Sequence, residues 1–245
     1  MKAKPQPKPQ PRPLNPPLPN LLSWVVTLLM PIVLVIAAVR ILLTPLYLVF
    51  EYNTPGFPPD PYGFTKAERL QWANISVDYL LNYAPISFLG DLRFPEGQKA
   101  PPATCETMDD CTRLFNDREL RHMQDVKNVV QAALNVWYIS IGLLMLGWVW
   151  AARRAWGSEY RLGIRRGGWL TVILLAGILL FVLLAFNTIF VAFHNVFFQS
   201  GTWQFLFSDT LIRLFPERFW QDTFLAVGVL AGGAGVLVGL FVRNK

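Results

Sequence analysis

Charge is scarce in this chain. Only 16% of its 245 residues are Asp, Glu, Lys or Arg, against roughly 25% in soluble domains. With 53% hydrophobic residues and a mean hydropathy of +0.35, that shortage excludes an ordinary soluble protein. Other absences remove whole classes of chemistry. The chain has no Walker loop for a nucleotide, no Gly-x-Ser-x-Gly elbow, no His-Glu-x-x-His zinc helix and no Cys-x-x-Cys pair. Cysteine occurs twice, at Cys105 and Cys111, and histidine twice, at His122 and His194.

Long apolar runs are what the chain has in quantity. Four are long enough for a hydrocarbon core that takes about 20 residues: Leu21–Phe50, Val126–Trp150, Trp169–Phe193 and Phe219–Val242. The first is too long for a signal peptide and lacks a small-x-small cleavage site, so it reads as a retained helix. The predicted fold class is an all-α membrane protein with four transmembrane helices.

The net charge of +6 does not point to nucleic acid. Lys2, Lys4, Lys8 and Arg12 precede the first helix. Arg153, Arg154, Arg161, Arg165 and Arg166 lie between the second and third, and Arg243 and Lys245 end the chain; Glu159 is the one acid among them. By the positive-inside rule these segments are cytoplasmic. Both termini are then cytoplasmic, and 51–125 and 194–218 lie outside. The predicted order is a disordered proline-rich leader (1–20), a helix (21–50), an extracytoplasmic cap (51–125), a helix (126–150), a basic cytoplasmic loop (151–168), a helix (169–193), an aromatic outer loop (194–218) and a last helix (219–242).

Arg40 is the one charge well inside an apolar run, and Tyr47, seven residues on, shares its face. Arg40 either serves a site or snorkels to the outer interface. The segment 51–125 is too long for a simple connection. Within it Thr65-Lys-Ala-Glu68 is a capping-box pattern and Leu70, Ala73, Val77, Leu80 and Leu81 recur at helical spacing, predicting a helix from about Lys66 to Tyr83. Cys105 and Cys111, both on the outer side, suit a structural disulfide.

Asn116 is a good N-cap with Glu119 at the third helical position, so one helix is expected from about Asp117 through Trp150. Glu119, His122 and Asp125 share its face. His194 lies roughly 37 Å along a helix that starts near Trp169, with Asn187 two turns below it. Both histidines therefore reach the outer interface. Beyond His194 the loop is aromatic: Phe197, Phe198, Trp203, Phe205, Phe207 and Phe215, which suits an interfacial belt or a lid over an apolar ligand. The last helix carries Gly228/Gly232 and Gly235/Gly239, a pattern of close helix contact.

The two histidines leave three readings: interfacial hydrogen bonding, a metal site from His122, Asp125 and His194, or acid–base catalysis on a lipid. No serine or cysteine nucleophile stands beside either histidine, which favours a substrate that brings its own.

The run Glu119-Leu-Arg-His122-Met-x-Asp125-Val-Lys127, followed by Phe193-His194-x-x-Phe197-Phe198, Trp203, Asp209 and Pro216-Glu217-x-Phe219, resembles the bacterial membrane family of the lipoprotein intramolecular transacylase (Lit). The resemblance covers nearly all of 21–243. It implies an enzyme of the bacterial cell membrane, without a cofactor or metal, working at the outer leaflet on diacylglyceryl lipoproteins and membrane lipid. The sn-2 acyl chain would pass to the α-amine of the lipoprotein's N-terminal cysteine. His122 and His194 match the family's catalytic pair and would act as general base and acid. Arg40 is then a candidate for oxyanion or substrate contact, Asp125 for orienting His122, and Phe197, Phe198 and Trp203 for the pocket wall, with Tyr47 and Asn187 as further candidates. The alternative is a non-enzymatic membrane subunit or assembly factor, in which both histidines are replaceable.

Overall fold

A computed structural model describes residues 17–199 and 201–242. The leader's residues 1–16, and the basic residues Arg243 and Lys245, lie outside it. The leader's last four residues, 17–20, already belong to the first helix. Among the described residues there are nine helices and no strand: α1 (Pro17–Leu42), α2 (Pro45–Tyr52), α3 (Lys66–Leu81), α4 (Ser87–Gly90), α5 (Pro102–Cys105), α6 (Asp117–Arg153), α7 (Gly157–Phe197), α8 (Thr210–Leu214) and α9 (Glu217–Phe241). Four of them, α1, α6, α7 and α9, are long and apolar enough to cross a membrane. The chain is a multi-pass membrane protein.

Two boundaries differ from expectation. The first apolar stretch is not one helix. Pro45 lacks an N–H and forces the residue before it out of helical geometry. Thr44 is extended at φ −140°, ψ 151°, and α2 restarts from Pro45 as its first helical residue. The basic segment 151–168 is not a loop either. α6 runs to Arg153, a tight turn with Ala155 at φ +58° follows, and α7 begins at Gly157. Its glycines read as loop residues in the sequence but serve as helix contacts. A Cβ on Gly163 would stand 2.5 Å from the Ser23 carbonyl, and one on Gly167 2.4 Å from Met30 Cβ.

α7 packs along its length against α1 and α9. On the α9 side, a Cβ on Gly168 would lie 2.6 Å from the Gly235 carbonyl, one on Gly228 2.4 Å from Leu179, and one on Gly239 2.8 Å from the Trp169 ring. Gly232 meets only Leu175, at 4.0 Å. So three of the four glycines in the two predicted pairs, Gly228, Gly235 and Gly239, allow close approach. α6 leans on α1 instead, where the Trp137 indole donates to the Val33 carbonyl at 3.1 Å.

The segments between the long helices form a body of their own around Tyr79, Leu89, Leu114, Phe115 and Leu214. α3 begins at Thr65 with the expected capping box, reciprocal with Glu68. Asn116 and Glu119 form a second one at the start of α6. Cys105 and Cys111 are disulfide-bonded. A buried bidentate pair, Arg213 with Asp60, ties the proline-rich segment after α2 to α8.

Candidate active site

At about 1.5 Å per residue, the 37-residue α6 is some 55 Å long, well beyond a 30 Å hydrocarbon core. Its first turns therefore stand in the polar body, and His122 is on the second. α7 carries His194 one turn from its end. Between its start and His194, α7 is interrupted at Ala185 (φ −152°, ψ 53°). Counted from the α6–α7 turn, His122 lies about 46 Å back and His194 about 55 Å on, if both helices were straight. The interruption and the tilt of the helices absorb that difference.

The imidazole rings face each other, with centroids 6.1 Å apart and planes 19° from parallel. Phe198 touches both, at 4.9 Å from His122 and 5.6 Å from His194. Phe205 meets His122 edge-on at 5.3 Å, and Trp203 lies 4.8 Å from His194. Phe190 stacks under His194 at 4.1 Å. Edge contacts of this kind hold an imidazole without spending its nitrogens.

The nitrogens are in different situations. His194 Nδ1 lies 2.8 Å from the Phe190 carbonyl. A carbonyl only accepts, so Nδ1 carries the hydrogen and Nε2 of the neutral ring keeps its lone pair. His122 is buried and its Nδ1 has no hydrogen-bond partner; the same is true of the Trp203 indole nitrogen. Among the described residues no hydrogen bond joins either histidine to a carboxylate, and no group of three His, Cys, Asp or Glu side chains could hold a metal.

Of the residues picked out from the sequence, the structure brings His122, His194, Phe198 and Trp203 together. Phe197 packs on Phe193 at 4.9 Å at the exposed edge of the cluster. Arg40 donates to the Leu43 carbonyl at 3.3 Å, where α1 breaks. Tyr47 bonds Thr223 at 2.9 Å in a separate cluster with Phe219. Asp125 is part-exposed on α6, and Asn187 is exposed just past the interruption in α7.

The sequence reading missed the support behind His122. Asp209, completely buried, accepts from Arg118 at 2.8 Å, Asn116 at 3.1 Å, Thr104 at 3.0 Å and the Leu206 N–H at 2.9 Å. Arg118 stands 5.7 Å over Phe205, the ring that meets His122. Glu119, also fully buried, accepts the Leu211 N–H at 2.7 Å. These bonds join the loop after α7 to the start of α6. The signal was present in Asp209, one of two acids in the aromatic loop. Its side-chain partners Arg118, Asn116 and Thr104 lie 91 to 105 residues away, so spacing could not identify them.

Four membrane-crossing helices, a polar body over one end, and two facing imidazoles in an aromatic cluster define a helical integral membrane protein with a facing histidine pair. The family model "Lipoprotein intramolecular transacylase Lit" matches residues 21–220, and the chain belongs to that family. It is 30% identical over 220 residues to an uncharacterized protein of Aquifex aeolicus, covering 89% of this chain and 92% of that one. Its fold is similar to the in meso structure of the transacylase Lit from Bacillus cereus, with TM-score 0.66, 21% identity, and 90% and 92% of the two chains covered. A histidine-to-alanine variant of the Bacillus protein matches with TM-score 0.65 at 19% identity, covering 92% of each chain.

Proposed function

We propose that this protein moves an acyl chain within one lipoprotein, from the sn-2 ester of a diacylglyceryl-cysteine to that cysteine's own α-amine. The products are an amide and a free glyceryl hydroxyl. The observation that carries the reading is the facing pair, His122 and His194, set among aromatic rings with no serine or cysteine hydrogen-bonded to either among the described residues. Two acid–base groups without a nucleophile suit a substrate whose amine attacks its own ester. The attack closes a medium-sized ring, which is unfavourable unless the chain is held folded. An aromatic enclosure supplies that orientation.

His194 is the base. Its Nδ1–H is held on Phe190, leaving Nε2 to take a proton from the attacking amine. The amine titrates near 8 when free, so imidazole is a matched acceptor. The new C–N bond forms as the carbonyl electrons move to oxygen. They return as the C–O bond breaks, and the proton that His194 took from the amine passes by way of the facing His122 to the leaving glyceryl oxygen, so that both imidazoles begin and end neutral. The Trp203 indole N–H, a donor without a partner beside His194, is suited to the carbonyl oxygen as it becomes an oxyanion. Arg40, engaged at Leu43, is reserved for the substrate's entry side, and Asp125 for the approach to His122.

The positive-inside distribution supports the orientation: termini and the α6–α7 turn in the cytoplasm, 51–125 and the loop before α9 as an extracytoplasmic cap, and the site at the outer leaflet. The test is mass spectrometry of a reporter lipoprotein's N-terminal peptide in a host without other N-acylating enzymes. Wild type should yield the N-acyl lyso form, located by fragmentation because the isomers have equal mass. His122→Ala and His194→Ala should not. An inserted, folded wild type that converts nothing sinks the reading and leaves a structural subunit. Conversion by both variants removes the histidine mechanism.

A further inference from the structure

α6 is the least buried of the four spans: 6% of its apolar stretch lies inside the protein, against 22–28% for the other three, and at its arginine-bearing foot a Cβ on Gly147 would stand 3.4 Å from Leu22 of α1. Between α6 and α1 there is a cleft of about 520 Å3. Its walls are Leu18, Leu22 and Val25 from α1 and Leu143 and Leu146 from α6, and Arg153 closes its polar end. Gly147 sits among the lining residues and adds no side chain. From Leu143 to Arg153 the helix rises about 15 Å, half of a 30 Å hydrocarbon core. The cleft therefore spans one leaflet, with apolar walls along an acyl chain and a guanidinium where a headgroup would lie. Arg153 and the next residue, Arg154, are both exposed, and among the described residues no ion pair is recorded for either. Arg165 and Arg166 are exposed two to three turns along α7, with Arg166 over Trp24 of α1 at 5.4 Å. The local charge is strongly positive, and a basic recess between membrane helices is a recognised setting for acidic headgroups.

We propose that this cleft binds one anionic phospholipid of the adjacent leaflet, a chain between α1 and α6 and its phosphate on Arg153. The lipid occupies the space that protein contacts leave beside α6, and so braces the helix that carries His122 at its other end. The proposal does not depend on the acyl-transfer reading.

The experiment is native mass spectrometry of the full chain in detergent, titrated with phosphatidylglycerol or phosphatidylcholine of the same acyl chains. One phosphatidylglycerol should be retained at several-fold higher affinity than phosphatidylcholine. Arg153→Gln should lower that affinity about fivefold, the effect of about one basic side chain at a membrane surface. Val25→Trp, at an exposed position, should fill the cleft and release both lipids. Arg154→Gln, next in sequence but outside the lining, should change binding less than twofold. Equal retention of the two lipids overturns the anionic preference. Full retention by Val25→Trp overturns the cleft. An Arg154→Gln loss as large as that of Arg153→Gln overturns the assignment to a site rather than a diffuse surface charge.

Discussion

Single side chains at the site act through what they lack. The Trp203 indole N–H is buried without an acceptor, which costs the resting protein free energy. A donor that waits for an oxyanion has this character. Trp203→Phe keeps the ring against His194 and removes only the N–H. The rate of acyl transfer should fall about 10- to 100-fold, while thermal stability holds or rises because an unsatisfied group has gone. A parallel loss of rate and stability would mean that the indole serves packing alone. Glu51 offers a second test away from the histidines. It is 1% exposed with Oε1 unpartnered, and burial, then the neighbouring Asp222, pushes its carboxyl up to about 7. The folded state therefore favours the protonated form. The stability this confers is complete below the ordinary carboxylate value and is lost as pH rises through neutrality. Melting curves should show wild type weakening between about pH 5 and 8 while Glu51→Gln stays level and melts a few degrees higher at pH 8.

Legibility differed from one candidate residue to the next. The two histidines were readable because there are only two, and because helix length puts both at one depth. Which nitrogen is engaged was not readable, since it depends on the Phe190 carbonyl one turn back. Arg40 stood out because a charge in an apolar run is rare, with a site role and snorkelling both open. It is engaged where Pro45 breaks the helix, a backbone need that composition does not reveal.

At the scale of elements, His122 depends on a clamp rather than on a partner of its own. Asp209 receives four donors while completely buried, and through Arg118 it seats Phe205 against the imidazole. Asp209→Ala takes the carboxylate from the buried Asn116 and the part-exposed Arg118, while Thr104 keeps Ser208, at a cost of about 2 kcal/mol and a fall in melting temperature of roughly 6 °C. Asp209→Asn retains the shape and some of the bonds, so it should lose less stability. Its activity should still drop if the ion pair orients the loop. Melting and turnover measured together on the two variants separate those effects. Helix existence was legible here from caps and period: both capping boxes are where Thr65 and Asn116 predicted them. The start of α7 was not, because Gly163, Gly167 and Gly168 read as a loop until the helix they press against is known.

At the scale of the molecule, the protein divides into a tight part and a leaning part. α1, α7 and α9 meet through glycine-lined seams and carry His194. α6 carries His122, and is held by the turn 154–156 at one end, by Trp137 on α1 along its length, and by the Asp209 and Glu119 bonds at the other end. The distance between the histidines is therefore set by two independent kinds of contact. Gly168→Val tests the first. A Cβ there would stand 2.6 Å from the Gly235 carbonyl, a backbone atom that cannot turn aside, so α7 and α9 must separate. Stability and activity should then fall together, since the whole body loosens. Gly232→Ala, whose Cβ meets only Leu175 at 4.0 Å, should leave both unchanged. Opening at the Asp209 end moves α6 alone, and should cost turnover more than melting temperature. Plotting turnover against melting temperature for the Gly168 and Asp209 variants should therefore give two slopes. A single common slope would mean that α6 and the three-helix part move as one body, and that the histidine distance has no separate control.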